Sequence, residues 1–483
     1  MNNIMPQNTV TFIMLEKEIF RIFCGLACEE LSRILEAFDK GIKQNRDKKT
    51  FRDKGLRQTT VKTPMGEVTF ERTVYEYIDD EGNKCFKYLL DEMLKIDTIG
   101  KMSMLLAQKV VENASLVSYR NAAKNVTELT GQSISHGGAW NIVQALGTKV
   151  KEDEERLAAA AEKGELCGER EVPILFEEAD GVCINMQGKD RKESGHKQEM
   201  KIAVTYEGWK KVGKDRFELI NKNLCAGFDE AKTFYKKKEG MVASLYNTDE
   251  IIMRIRNGDG AKWIKSEMDD TYHYQLDPFH KNKAVFRHIR NEEQRNTIFE
   301  FLKSNKIIDL LEYLDALSNS IEDEKEAGKV RDLYKYFKDN EQGMTPWQTR
   351  GLDVPPPPDG MVYRNLGTME HHVCDVIAQR MKHRKASWSR SGADNLAKLL
   401  AAKASKRLHE VVEKFSIIVL PEEQTREIIE TLSAAKTPKK DGKGSDGTIP
   451  KGRVPFADAA VTNGRKAIRD MFAIRGFGEL TYR

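Results

Sequence analysis

No two cysteines in this chain have Cys-x-x-Cys spacing, so there is no ligand pattern for a structural zinc. The seven cysteines are scattered; Cys24 and Cys28, one helical turn apart, read as core residues rather than ligands. No apolar run approaches the ~20 residues that cross a bilayer, which argues against a membrane partner. The opening MNNIMPQNTVTFIMLEKEIF has neither a basic leader nor a small-residue cleavage site, so no secretory signal is expected. An odd cysteine count without such a signal fits a reducing cytoplasm. No internal repeat is visible, and no motif calls for an organic cofactor. Net charge is also scarce, at a formal +4 over 483 residues.

What is present is a soluble-type composition, 40% apolar and 32% charged, over a length that predicts two to four domains. The charge is unevenly placed. Between 380 and 407, nine Lys or Arg face one Asp, a formal +8, so the rest of the chain is net acidic. Just before this run, Glu370 opens a helical pattern in which Val373, Val376, Ile377 and Met381 share one face. Thr368 is placed to cap it. A carboxylate at the head of a basic helix suggests a metal ligand beside a polyanion track. The plain alternative is a surface helix whose terminal charges suit its dipole.

Along the chain, residues 10–46 have a helical period. Residues 56–90 read as two strands joined at Pro64-Met65-Gly66, with a second turn at 80–83. Together these make a small α+β module over 1–99. Residues 100–150 carry two helices broken near Gly131, a helix-turn-helix grammar. The second helix, capped by Ser133 or Ser135, would present Ser135, His136, Trp140 and Asn141 outward for DNA-end recognition, unless the two are simply packed helices. Residues 151–171 read as a charged helical connector. From 172 to 290, three strand candidates are followed by alternating helices and strands, which predicts an α/β mixed sheet with helices on its faces. Residues 291–364 read as a helical insertion, with a stiff hinge at Pro355–Pro358. The chain returns at 365–415 and ends in a helix and a flexible basic tail over 416–483.

Three carboxylates could do chemistry. In the strand around Asp180, alternate residues Ile174, Phe176, Glu178, Asp180, Val182 and Ile184 share a face that is mostly apolar. An ionised carboxylate there is costly unless a cation neutralises it. Glu177 and Glu178 read as outer-shell or solvent-facing. Asp259 ends a strand between two glycines and is alternatively a turn former. Asp277 precedes Pro278, the pattern of an N-cap, and His280 lies one turn on, in reach of a phosphate or leaving group. Hard oxygen ligands such as Asp180, Asp259 and Glu370 suit Mg²⁺ or Mn²⁺. Two such ions about 3.5–4 Å apart can serve an in-line phosphoryl displacement.

The runs ADGV, NGDGAKWI, LDPFHK and NLGTMEHHVCDVIAQRMKHRKASWS together resemble the DDE transposases of bacterial insertion sequences. The likeness is to the Lre-type group, long catalogued as an uncharacterised protein family, with Mutator-like transposases more distant. It extends over roughly residues 55–415. It implies an RNase H-like core holding two divalent ions on Asp180, Asp259 and Glu370. Asp277 and His280 would handle the strand near the active site. Lys382, Arg384, Lys385 and Arg390 would hold the DNA backbone, with Trp388 stacking on a base or packing. The reaction implied is hydrolysis of DNA at element ends and transfer of the freed 3′-OH into target DNA, by a homo-oligomer associated with the bacterial nucleoid. An RNase H-fold nuclease that does not join, or a non-catalytic helix-turn-helix protein, are the alternatives.

Overall fold

The computed structural model describes residues 11–94 and 101–414. The chain divides into two compact units, residues 1–39 with 48–417, and residues 40–47 with 418–483. The helix and basic tail expected over 416–483 lie outside the described residues, as do 1–10 and 95–100.

Helix α1 (Phe12–Asn45) precedes a three-stranded antiparallel sheet of β1 (Arg52–Thr63), β2 (Gly66–Ile78) and β3 (Lys84–Lys87). The β1–β2 turn falls at the expected Pro64-Met65-Gly66. Polar side chains at helical spacing dock α1 on β2. The Ser32 hydroxyl donates to Thr69 O, and Asp39 accepts from both the amide and the hydroxyl of Thr73. After the short α2 (Leu89–Leu94) come α3 (Met104–Ala114), α4 (Tyr119–Thr130) and α5 (His136–Glu162). Ser103, Ser118 and Ser135 cap these three helices with their side chains, and Gly131 ends α4 at φ 69°.

The connector expected over 151–171 does not stand apart. Helix α5 runs unbroken for 27 residues through that boundary. One side of it packs against later helices on both sides of that boundary: Ala158 is buried, and at Gly240 a Cβ would lie 2.5 Å from Ala158 N. At Gly147 the backbone of a later helix approaches so closely that a Cβ would lie 2.5 Å from Asn395 O. Asn395 Nδ2 also donates to Gln144 Oε1 at 2.9 Å.

The central sheet has five strands in the order β10-β9-β4-β5-β8. They are β4 (Ile174–Asn185), β5 (Lys197–Tyr206), β8 (Asn223–Gly227), β9 (Met253–Gly258) and β10 (Tyr272–Leu276). Strands β10, β9 and β4 are parallel, whereas β5 and β8 join antiparallel. A two-stranded ribbon, β6 (Gly208–Lys211) and β7 (Phe217–Ile220), leaves the β5 end. The period of two assigns the faces. Phe176, Val182, Ile202, Val204 and Ile255 join one core with α3 to α5 and the last helices of the chain. Ala179, Ala203 and Cys225 join a second core on the other face.

That second core also takes α7 (Ala231–Leu245), α8 (Pro278–His288) and the insertion helices α9 (Glu292–Lys303), α10 (Ile307–Ser320) and α11 (Glu324–Asp339). The insertion is thus helical as expected, with Leu310, Leu314, Leu333 and Phe337 all buried. The short helices α6 (Gly188–Ser194) and α12 (Glu341–Met344) complete this part. Between β9 and β10, residues 259–271 form a run of turns with no helix among them.

The last stretch begins with α13 (Met369–His372), continues through a π-helical segment (Val373–Ala378) and ends in α14 (Gln379–Met381). Helices α15 (Arg390–Ala404) and α16 (Leu408–Lys414) follow. As the spacing predicted, Val376, Ile377 and Met381 are buried. Among the described residues no helix is long and apolar enough to cross a membrane. The described residues form a mixed α/β arrangement whose five-stranded mixed sheet lies between helical layers.

Candidate active site

The register of the three parallel strands builds the site. Ala179 on β4 pairs with Gly258 on β9, and Gly258 pairs with Leu276 on β10. The next residue on each is an aspartate: Asp180, Asp259 and Asp277. All three stand at one level, where β9 and β10 end. A crevice outside the carboxyl ends of parallel strands is where open α/β sheets bind ligands. Glycine at 258 is required there, since a Cβ would lie 2.6 Å from Ile264 Cγ2.

Asp180 is 7% exposed. Its Oδ1 accepts from the Gly181 amide at 2.7 Å. Burial pushes its carboxyl up to about 6, opposed by His280 and the Gly181 amide, with Asp259 and Glu370 pushing it further up. Asp277 caps α8, its Oδ1 accepting from His280 N at 3.0 Å and its Oδ2 from Asn257 Nδ2 at 2.7 Å. Burial works against its charge, but His280 and Asn257 outweigh it and hold the carboxyl below the usual range. The His280 Nδ1 lies 3.3 Å from Asp277 Oδ1 without the alignment of a hydrogen bond. That neighbour first, then Asp180 and Asp259, raise the imidazole above its ordinary value against the opposing effect of burial.

Glu370 comes from the other side of the sequence, in the first turn of α13. Glu178 positions that turn. Its carboxylate is fully buried and accepts from Gly367 N (2.9 Å), Thr368 N (2.9 Å), Thr368 Oγ1 (2.6 Å), Tyr206 OH (2.6 Å) and Asn257 Nδ2 (3.0 Å). Thr368 therefore makes no side-chain cap; its hydroxyl is committed to Glu178. Because Asn257 Nδ2 also donates to Asp277, one polar chain runs from the start of α13 to the cap of α8. Burial raises the Glu178 carboxyl in spite of these donors.

The ligand atoms of Asp180, His280 and Glu370 all lie within 4.8 Å of one another, the one such group among the described residues. Of the expected ligands, Asp180 and Glu370 belong to this trio and Asp259 stands outside it, its Oδ1 accepting from Ala261 N at 2.9 Å in the turn. Its charge still acts on Asp180 and His280. His280, expected to handle the strand, instead lies in the trio, one turn into α8 from the Asp277 cap. Two hard carboxylate oxygens suit Mg²⁺ or Mn²⁺, and an imidazole nitrogen shifts the preference toward a transition metal.

The expectation for Glu177 is corrected. Far from facing solvent, it is 2% exposed on the opposite face of the sheet. There it pairs with Lys238 Nζ at 2.6 Å and Arg256 Nε at 3.0 Å. These cations hold its carboxyl low despite its burial.

The expected DNA contacts separate into free and committed groups. Lys382 and Lys385 are exposed. The backbone of Arg384 lies in the turn His383–Lys385, and its side chain is outside the described residues. The guanidinium of Arg390 is committed, donating to Gln198 Oε1 (2.6 Å) and Phe228 O (2.7 Å). Trp388 packs: its Nε1 donates to Met381 O, and Tyr119 meets it edge-on. Ser135 caps α5 through Gly138 N, while His136, Trp140 and Asn141 are exposed beside it.

The profile of an uncharacterised protein family, UPF0236, matches residues 5–414. The UPF0236 protein in vanSb 3′ region of Streptococcus gallolyticus is 25% identical over 402 residues, covering 80% of this chain and 82% of that protein. The UPF0236 protein TTE2489 of Caldanaerobacter subterraneus subsp. tengcongensis is 24% identical over 385 residues, covering 77% and 74%. Another from the same organism, TTE0610/TTE0881/TTE1053/TTE2432, is 25% identical over 382 residues, covering 77% and 72%. With a match over most of its length, this chain belongs to the uncharacterised protein family UPF0236.

Proposed function

We propose that this protein is an insertion-sequence transposase that cleaves DNA at element ends and transfers the freed strand, using divalent metal ions. The observation that carries the reading is the convergence of Asp180, His280 and Glu370, from one strand and the first turns of two helices, within 4.8 Å. The order and directions of the five strands support the RNase H-like core that the resemblance implies. The donor set fits a divalent cation. Metal–oxygen distances of ~2.1 Å let one ion span such ligands after small side-chain moves. Mg²⁺ or Mn²⁺ bound there would activate the attacking oxygen and stabilise the leaving one.

The chain's own residues do the rest. Asp180 and Glu370 hold the ions, and Asp259 adds negative charge from the adjacent strand end. The Glu178 network fixes where Glu370 stands. His280, raised by its acidic neighbours, balances Asp180 when no ion is held and becomes a ligand when one is. Exposed Lys382 and Lys385 lie on the far end of the Glu370 helix, where a DNA backbone would pass. The name of one relative joins four locus labels, which fits one product encoded at several places in a genome.

The test uses DNA carrying the inverted repeats that flank the gene. Mg²⁺- or Mn²⁺-dependent nicking and joined products are expected from the wild type, with at least a 100-fold loss for Asp180→Ala and Glu370→Ala. Nicking without joining would make it a nuclease. Specific binding with no metal-dependent product would make it a DNA-binding protein. Wild-type nicking by either variant would refute the ligand assignment.

A further inference from the structure

A second cluster of cations lies behind the Glu370 helix and takes no part in the trio. A cavity of about 650 Å³ opens between the β6–β7 ribbon, the start of α13 and the α15–α16 junction. Lys222, Lys406 and Arg407 line it, with Thr368 and His372 from the α13 side. Neither lysine has an acidic partner within 4 Å, whereas Arg407 pairs with Glu410 at 3.2 Å on the rim. Lys222 is half-buried, and burial first, then the facing Lys406, push its ammonium below the ordinary value. His372 is 5% exposed and its Nε2 has no hydrogen-bond partner. Glu218 and Glu410 also line the cavity, but Glu410 is held by Arg407, so Lys222, Lys406 and the unpartnered His372 nitrogen remain to receive an anion that accepts several hydrogen bonds at once.

We propose that this cavity is a phosphate subsite, in which Lys222, Lys406 and Arg407 hold a phosphodiester of the nucleic-acid strand bound at the trio. It rests on the DNA reading above. A strand brought to Glu370 carries further phosphates on either side of the reacting one. The cavity begins at Thr368, two residues from Glu370, so a neighbouring phosphate has a seat at the same helix terminus. A bare carboxylate ligand would satisfy fewer of the donors.

The full-length protein is titrated with a fluorescent ~20-bp duplex in chelator, over a range of salt, so that binding is read without cutting. Lys222→Ala/Lys406→Ala is compared with wild type and with Lys325→Ala/Lys335→Ala, exposed lysines of α11 that equalise the charge change. The expected result is a slope of log K against log salt shallower by about 1–2 in the first variant, with the control pair near wild type. Lys406→Glu, at an exposed position, should weaken binding further without unfolding the protein. Equal slopes for the two double variants would overturn the subsite. Tight binding of inorganic phosphate with an unchanged DNA slope would make it a free-phosphate site and overturn the DNA assignment. A wild type that binds no DNA would instead sink the transposase reading itself.

Discussion

Asp180 combines a buried position with a carboxyl pushed from its ordinary 3.8 to about 6. The folded, ion-free chain therefore holds the extra proton between those values. Its stability should fall as pH rises from about 4 to about 6, by at most about 3 kcal/mol. Asp180→Asn removes the charge but keeps the shape. In chelator at pH 7.5 this variant should melt a few degrees above wild type, yet lose the rise in Tm that Mn²⁺ gives the wild type. A variant that melts lower in chelator, or still responds to Mn²⁺, would contradict the site. Mn²⁺ affinity of the wild type should climb with pH as Asp180 and then His280 give up their protons, levelling off only above the raised His280 value, as isothermal titration would report. Much of this was legible at the level of single residues. The alternation around Asp180 and the helical spacing after Glu370 are local patterns. His280 was not legible as a ligand, because its membership depends on where the first turn of α8 lies relative to another strand. The one signal available was the aspartate closing each of the runs EEAD, RNGD and YQLD.

At the scale of elements, the join between β4 and α13 depends on Glu178. Parity put this residue on the same buried face as Asp180, but no sequence pattern names its five donors, which come from three separate segments. Glu178→Ala leaves the Tyr206 hydroxyl and the Gly367 and Thr368 donors without an acceptor in a buried place, and leaves Asn257 with Asp277 alone. A loss of about 2–4 kcal/mol is expected in urea unfolding, with faster hydrogen exchange at the Gly367 and Thr368 amides. Glu178→Gln, which keeps an acceptor, should lose less. Unchanged exchange in the Ala variant would show that α13 is held some other way. The boundary missed at residue 151 has a similar cause. Charge composition marked a connector, while the helices that α5 packs against lie later in the chain, α15 more than two hundred residues on.

For the molecule as a whole, the helix-turn-helix region is not a separate body. Helices α3 to α5 share one core with the central sheet and α15. One close point is Gly147, where the α5 and α15 backbones touch. Gly147→Ala puts a methyl group 2.5 Å from Asn395 O and should cost at least about 2 kcal/mol, seen as a lower Tm with a single transition. Two transitions would mean that the helices and the sheet unfold independently. Fold class and the helical insertion were readable from periodicity, whereas the union of the two regions was not, because it is made by contacts that no local pattern encodes.

The Gly147 contact also has a metric meaning. His136, Trp140 and Asn141 sit at the tip of α5, and Asp180 sits on a strand of the same core, so the span between them is constant. A duplex gripped at that tip would be cut at one set offset from the gripped bases, as by a ruler with no joint. Lengthening the spacer between the recognised bases and the cleavage point by even one or two base pairs would then carry the scissile bond out of reach, rather than being absorbed by a bend in the protein.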